Sequence, residues 1–236
     1  MYILGINDGH NSGASIFLNG KLICAISEER LSRKKNEYGF PRKSIDYCIK
    51  SANIKKNQID YVAVATLNLP PKYFTVKRNT TFNIDDYLKE QNEYWFQKIY
   101  RKKKPKYLKI FKNKILSKKE IFYDLKNIKH EDDCLGMRAA RKKGISNYLN
   151  IQESKISFYD HHKCHAMYGL YASGKNNDKT IVVTADGGGD DSNGTIWINN
   201  KNVFKQVYKT NLCNIGRMYR YATLSMGFKP TEHEYK

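Results

Sequence analysis

The chain has 236 residues, of which 40 % are hydrophobic, and its 42 Lys and Arg against 23 Asp and Glu leave a net charge of +19. That length suffices for one large domain or two small ones, and five scattered cysteines without a CxxC pair argue against a disulfide frame or a zinc-thiolate site. No apolar run approaches a membrane span, and Met1 leads straight into a strand-like YILGI, so the expected location is the reducing cytoplasm with no membrane partner. Lysine is concentrated between Lys98 and Lys129, and no zinc-finger, RRM or KH signature accompanies the charge. A nucleic-acid partner is therefore not expected.

In chain order, residues 2–8, 13–18 and 21–28 read as three strands, the last two joined by the hairpin signal Asn19-Gly20. The first strand ends at Asp8 and Gly9, and a first hairpin of this kind resembles the phosphate-cupping turn of the actin-like ATPase (ASKHA) superfamily. Such a turn needs backbone N–H groups facing an anion, which small residues such as Gly9, Ser12 and Gly13 permit. Asp8 and Gly9 are thus candidate cofactor-binding residues. Ser44 is the expected N-cap of a helix running to Ala52, with Ile45, Cys48 and Ile49 facing inward. A buried strand over residues 60–66 completes a β-β-β-α-β order, the ribonuclease-H-like half of that superfamily. The fold class is α/β, a mixed sheet with flanking helices.

Residues 67–130 interrupt this pattern and read as a Lys-rich helical insertion or lid, with an amphipathic, aromatic helix over 84–100. A helix over 135–149 and a strand over 155–159 follow. Then comes DHHKCHA: with a helix starting beside Asp160, His161 and His165 stand one turn apart on one face, a spacing at which two imidazoles can hold one metal ion. The run Thr180 to Ala185 reads as a buried strand delivering Asp186 as a possible third ligand, and Gly187 and Gly188 leave room for a phosphate. Imidazole suits iron, zinc and manganese alike. A hairpin across Asn199-Asn200 and a helix over 214–227 end the pattern.

The motifs GINDGHNSGAS (5–15), SEERLSRKKNEYGFP (27–41), IDDYLKEQNEYW (84–95), DHHKCHA (160–166), ADGGGDD (185–191) and MGFKPTEHEYK (226–236) occur collinearly. On them the chain resembles the N-terminal half of the carbamoyltransferases of the nodulation-factor and antibiotic-modifying type (NodU/CmcH-like). The resemblance implies an ASKHA domain related to the tRNA threonylcarbamoyl enzyme, followed by a YrdC-like domain that makes carbamoyl adenylate from carbamoyl phosphate and ATP. The first domain then passes the carbamoyl group to a hydroxyl of a small-molecule acceptor, a sugar or other natural product. It also implies Fe²⁺ or another divalent metal on His161, His165 and Asp186, and places His10 and Lys35 beside the carbamoyl adenylate. By that chemistry His10 is the expected base, and Lys35 or the bound metal holds the oxyanion or the phosphate. The family continues past EYK, so residues 1–236 are expected to be the N-terminal portion, with the YrdC-like domain absent here and supplied in cis or in trans. The other functions considered are a non-catalytic remnant that binds metal or nucleotide, and a sugar-kinase-like phosphotransferase of the same superfamily. Paired histidines disfavour the latter, because phosphoryl transfer uses Mg²⁺ held by oxygens.

Overall fold

The computed structural model describes residues 1–201 and 203–235; Lys236, which closes the last of the quoted motifs, lies outside them. The chain forms two compact units, one of residues 1–64 and 68–158, the other of residues 65–67 and those from 159 onward.

In the first unit β1 (Tyr2–Asn7), β2 (Gly13–Leu18) and β3 (Lys21–Ser27) make an antiparallel meander. The next strand, β4 (Tyr61–Ala65), lies parallel to β1, and with β5 (Ile156–Tyr159) the sheet order becomes β3-β2-β1-β4-β5. This is the mixed sheet of a ribonuclease-H-like fold, with each of the first four strands within a residue or two of its expected span. Alternation explains the core. Leu4, Ile6, Ile16, Val62 and Val64 project to one side of the sheet and are almost completely buried with Ile45, Cys48, Ile145 and Leu149. All five cysteines are free thiols.

The short helix α1 (Glu28–Ser32) leads to α2 (Arg42–Ser51), which starts two residues before the expected cap. Its N-cap is Pro41, which has no side-chain acceptor, and Ser44 sits inside the first turn. The capping role passes to a distant residue. Buried Glu28 accepts from the N–H groups of Lys43 at 3.1 Å and Ser44 at 2.7 Å, and from the Ser44 hydroxyl at 2.8 Å. Replacing Glu28 with Ala leaves three donors without their acceptor and is expected to cost about 1–3 kcal/mol in urea unfolding. A cost near zero would mean that water serves this helix end equally well.

Within the expected insertion, α3 (Pro71–Val76), α4 (Arg78–Thr81) and α5 (Ile84–Lys89) are followed by a wider helical turn over Glu90–Trp95, then by α6 (Phe96–Ile99) and α7 (Tyr107–Ile110). Beyond α6 the lysine-rich part is helical only at Tyr107–Ile110 and Lys112–Lys114 before it becomes turns. Aromatic anchors hold it. Tyr94, Tyr107, Phe111 and Tyr123 are each at most 3 % exposed, and Tyr123 packs with Tyr38, Phe74 and Met137. Met137 comes from α8 (Cys134–Leu149), which begins on the side chain of Asp133.

The second unit is built on an antiparallel sheet of β6 (Thr180–Gly189), β7 (Ser192–Asn200) and β8 (Val203–Thr210), with α9 (His161–Ala172) and α10 (Ile215–Ser225). Two expectations are corrected here. First, β6 is an edge strand four residues longer than expected and only half buried, with Ile181 68 % and Val183 67 % exposed. A short apolar run has the same sequence whether one face or both are covered. Second, Asn199 and Asn200 are not the turn but the last paired residues of β7, opposite Phe204 and Val203. Lys201 follows them with φ +46°, and Asn202 is outside the described residues. No helix among the described residues is long and apolar enough to cross a membrane.

Candidate metal centre

Helical and strand periodicities meet in the second unit. Asp160 caps α9 by accepting from the Lys163 N–H at 2.8 Å, as its sequence predicts, which places His161 at the first helical position. From there His161 and His165 stand one turn apart, while Thr184 and Asp186, two apart on β6, project to the side that α9 covers. The Nε2 atoms of His161 and His165 are 3.1 Å apart; Asp186 Oδ2 lies 2.6 Å from the first and 3.3 Å from the second. All three donor atoms fall within 4.8 Å of one another. Ligands bonded to one ion at about 2.1 Å stand about 3.0–3.4 Å from each other, so the donor set fits a divalent metal with a position left open.

The surroundings orient these three side chains. Thr66 Oγ1 is 3.2 Å from His161 Nδ1, turning Nε2 towards Asp186. Asp190 Oδ2 accepts from the N–H groups of His161 at 2.7 Å and Leu67 at 2.9 Å. A Cβ on Gly189 would lie 2.3 Å from His161 Cγ, so the strand can approach the ring only as glycine. Neighbouring His162 is not a ligand. It is fully buried, with Nε2 3.1 Å from the Ser192 carbonyl and Nδ1 2.7 Å from the Thr184 hydroxyl. The carbonyl only accepts, so Nε2 carries the proton and Thr184 donates to Nδ1. Thr66, Asp190 and Gly189 were missed in the sequence; only the acidic-glycine run gave any sign of the last two.

Without metal, Asp186 and the histidines bind one another. Burial works to raise the Asp186 carboxyl, but the hydrogen bonds from His161 and His165 hold it well below the usual carboxylate range. The bond to Asp186 in turn raises the His165 imidazole above its ordinary value of 6.5. A raised imidazole contributes stability that is fully present below pH 6.5 and is lost as pH rises through the raised value. Metal binding has the opposite sign, since it needs neutral imidazoles. We therefore expect the metal-free melting midpoint to fall, and divalent-ion affinity to rise, as pH increases from 6.5 upward. Melts with and without chelator would check this; parallel trends would contradict it.

The sequence model described as "Carbamoyltransferase N-terminus" matches residues 2–236. The chain belongs to this family. Among curated relatives it is 28 % identical over 99 % of its length to an uncharacterised protein of Methanocaldococcus jannaschii, covering 32 % of that protein. It is 24 % identical over its whole length to an uncharacterised protein of Synechocystis, covering 33 % of it. Nodulation protein NolNO of Sinorhizobium fredii is 25 % identical over 80 % of this chain, which covers 21 % of that protein. The chain thus spans about a third or less of these relatives.

The other residues singled out in the sequence fall into two groups. Gly187 and Gly188 adjoin Asp186; a Cβ on Gly187 would meet nothing within 4 Å, Gly188 has φ +136°, and Arg217 donates to the Gly187 carbonyl at 3.0 Å. Both glycines lie in the irregular end of β6, between Ala185 and Gly189, and a cation beside them suits an anion. His10, Lys35, Asp8 and Gly9 belong to the first unit. Lys35 is exposed between the left-handed residues Arg33 and Asn36, on a segment joined to the His10 loop where Ser12 N–H donates to the Glu37 carbonyl at 2.9 Å.

Asp8 and Gly9 are positioned otherwise than a phosphate cup requires. Asp8 is fully buried: Arg141 Nε and Nη2 reach its two oxygens at 2.8 and 2.6 Å, and the Tyr123 hydroxyl donates to it at 2.5 Å. The Gly9 N–H donates at 3.2 Å to Asn7 Oδ1, whose amide nitrogen in turn holds the His10 and Asn11 carbonyls. An Asp-Gly pair after a strand has the same sequence whether it cups an anion or braces its own loop.

Proposed function

We propose that the chain is the N-terminal portion of an O-carbamoyltransferase that moves a carbamoyl group from carbamoyl phosphate, through carbamoyl adenylate, to a hydroxyl of a sugar or other natural product. The observation that carries this reading is the convergence of His161, His165 and Asp186 on one point in a chain of this family. A divalent ion such as Fe²⁺ held there would supply a Lewis acid for phosphate or carbonyl oxygen. The residues of this chain do the rest. In the second unit Gly187 and Gly188, beside Arg217, offer a place for a phosphate; in the first unit the ring of His10 and the cation of Lys35 offer polar groups to a carbamoyl group. Because Asp8 and Gly9 are committed inside the fold, no contact to ATP is assigned to them. Ser12 supports an anion near this loop instead: its hydroxyl is buried, 1 % exposed, and has no partner among the described residues. The adenylate-forming YrdC-like domain is provided in cis or in trans.

The test is transfer of label from isotopic carbamoyl phosphate to a hydroxyl acceptor, with ATP and a YrdC-like domain supplied. Transfer that requires this chain and is lost in His10→Ala supports the reading. Intact metal and nucleotide binding with no transfer to any of a panel of sugar and natural-product acceptors would favour the non-catalytic remnant.

A further inference from the structure

Asn79, on α4, is 7 % exposed, and its amide has two chemically different ends. Arg78 Nη1 lies 3.0 Å from Oδ1, and the Tyr87 hydroxyl 3.4 Å from the same atom. A guanidinium can only donate, so the amide atom facing it is the oxygen. The other end, Nδ2, can also only donate, and it stands 2.7 Å from His10 Nδ1. His10 Nδ1 is therefore the acceptor, and the neutral ring carries its proton on Nε2.

The arrangement is held from behind. Arg78 forks onto Glu90, Nε to Oε1 at 2.6 Å and Nη2 to Oε2 at 2.5 Å, and the Tyr107 hydroxyl donates to Glu90 Oε1 at 2.8 Å. Glu90 is 2 % exposed and Tyr107 is fully buried, so the Arg78 fork has no second orientation open to it. Neighbouring Thr80 donates to the Asn36 carbonyl at 2.9 Å, so α4 also touches the segment that carries Lys35.

We infer that Asn79 is a positioning residue that holds neutral His10 in the Nε2–H tautomer, so that His10 meets its ligand as a hydrogen-bond donor and not as a base. In this tautomer the unprotonated nitrogen faces Asn79, where no acceptor hydroxyl can reach it. Only the identity of the atom that receives the bond rests on the proposed carbamoyl transfer: it is the carbonyl oxygen of the carbamoyl group, which gains negative charge as the acceptor oxygen bonds to the carbonyl carbon. The bond from that carbon to the adenylate phosphate then breaks, AMP leaves, and the hydroxyl proton passes to the departing phosphate or to water. The interaction is a hydrogen bond, and the proton stays on His10.

Long-range ¹H–¹⁵N spectra of the ¹⁵N-histidine-labelled chain test the tautomer directly, with His10 identified by the signals that His10→Gln removes. At neutral to mildly alkaline pH the expected pattern is a protonated Nε2 and an unprotonated Nδ1. Asn79→Asp puts an acceptor opposite Nδ1 and is expected to reverse the pattern; Asn79→Ala is expected to give an average of the two. A wild-type ring protonated on Nδ1, or already averaged, would overturn the inference, and that outcome needs no variant to fold. In the transfer assay Asn79→Asp is expected to lower kcat by on the order of 10²-fold with KM little changed. An unchanged kcat in a variant whose tautomer has reversed would overturn the donor role. An Nε2–H ring in a chain with no transfer activity would sink the proposed function while upholding the tautomer.

Discussion

Replacing both His161 and His165 with alanine is expected to take a bound divalent ion from near one per chain to none detectable, with the fold retained. Two of three donors would be gone, and Asp186 alone offers one carboxylate on an edge strand, 38 % exposed, which holds ions only weakly. The fold survives because His161 is partly exposed and His165 more so, while the buried anchors of α9 are His162, Ala166 and Leu170. A graded companion is Thr66→Val. It removes the hydroxyl 3.2 Å from His161 Nδ1 and is expected to weaken affinity by about 10–100-fold without abolishing it. Elemental analysis after dialysis, followed by competition with a chelator, reads both effects. Metal that persists in the double variant would place the ion elsewhere in the chain.

The largest expected effect on stability lies at Asp8 and Arg141. Both side chains are fully buried, and the pair is bidentate, with Tyr123 as a third member. Burial works against the guanidinium, but Asp8 and the bonds to it raise Arg141 further above its ordinary value, so the guanidinium stays charged. Removing one charge strands the other: Arg141→Met or Asp8→Asn is expected to cost about 3–5 kcal/mol. The double replacement Asp8→Leu/Arg141→Met leaves no orphan charge and is expected to recover much of that loss. Urea midpoints of the parent, both single variants and the double variant give the coupling. A single-variant cost below about 1 kcal/mol would mean that water reaches the pair.

The same pair shows where reading from sequence stops. The first three strands, β4 and the Asp160 cap are local patterns, and each is legible from fewer than ten consecutive residues. The nearness of the two histidines to Asp186 has local roots too: a helix period sets His161 and His165 on one face, and the strand that carries Asp186 continues to Gly189. What escaped notice is long-range. The partner of Asp8 is 133 residues away, that of His10 is 69 away, and the acceptor that serves Lys43 and Ser44 lies some 15 residues upstream. No spacing rule connects such positions, because the backbone between them is free to take any path. Exposure of Ile181 and Val183 was equally invisible, since apolarity tells what a residue prefers and not what covers it.

The division of the chain has a consequence for anyone who dissects the gene. Residues 65–67 belong with the second unit although both neighbouring stretches belong with the first. The polypeptide therefore passes between the units three times, and no single cut yields either one whole. A fragment beginning at Tyr159 keeps His161, His165 and Asp186 but lacks the Thr66 hydroxyl at His161 Nδ1 and the Leu67 N–H on Asp190. Such a piece would carry all three candidate donors and still misreport the affinity of the intact protein. A faithful half would have to be stitched, with 65–67 returned through a designed connection.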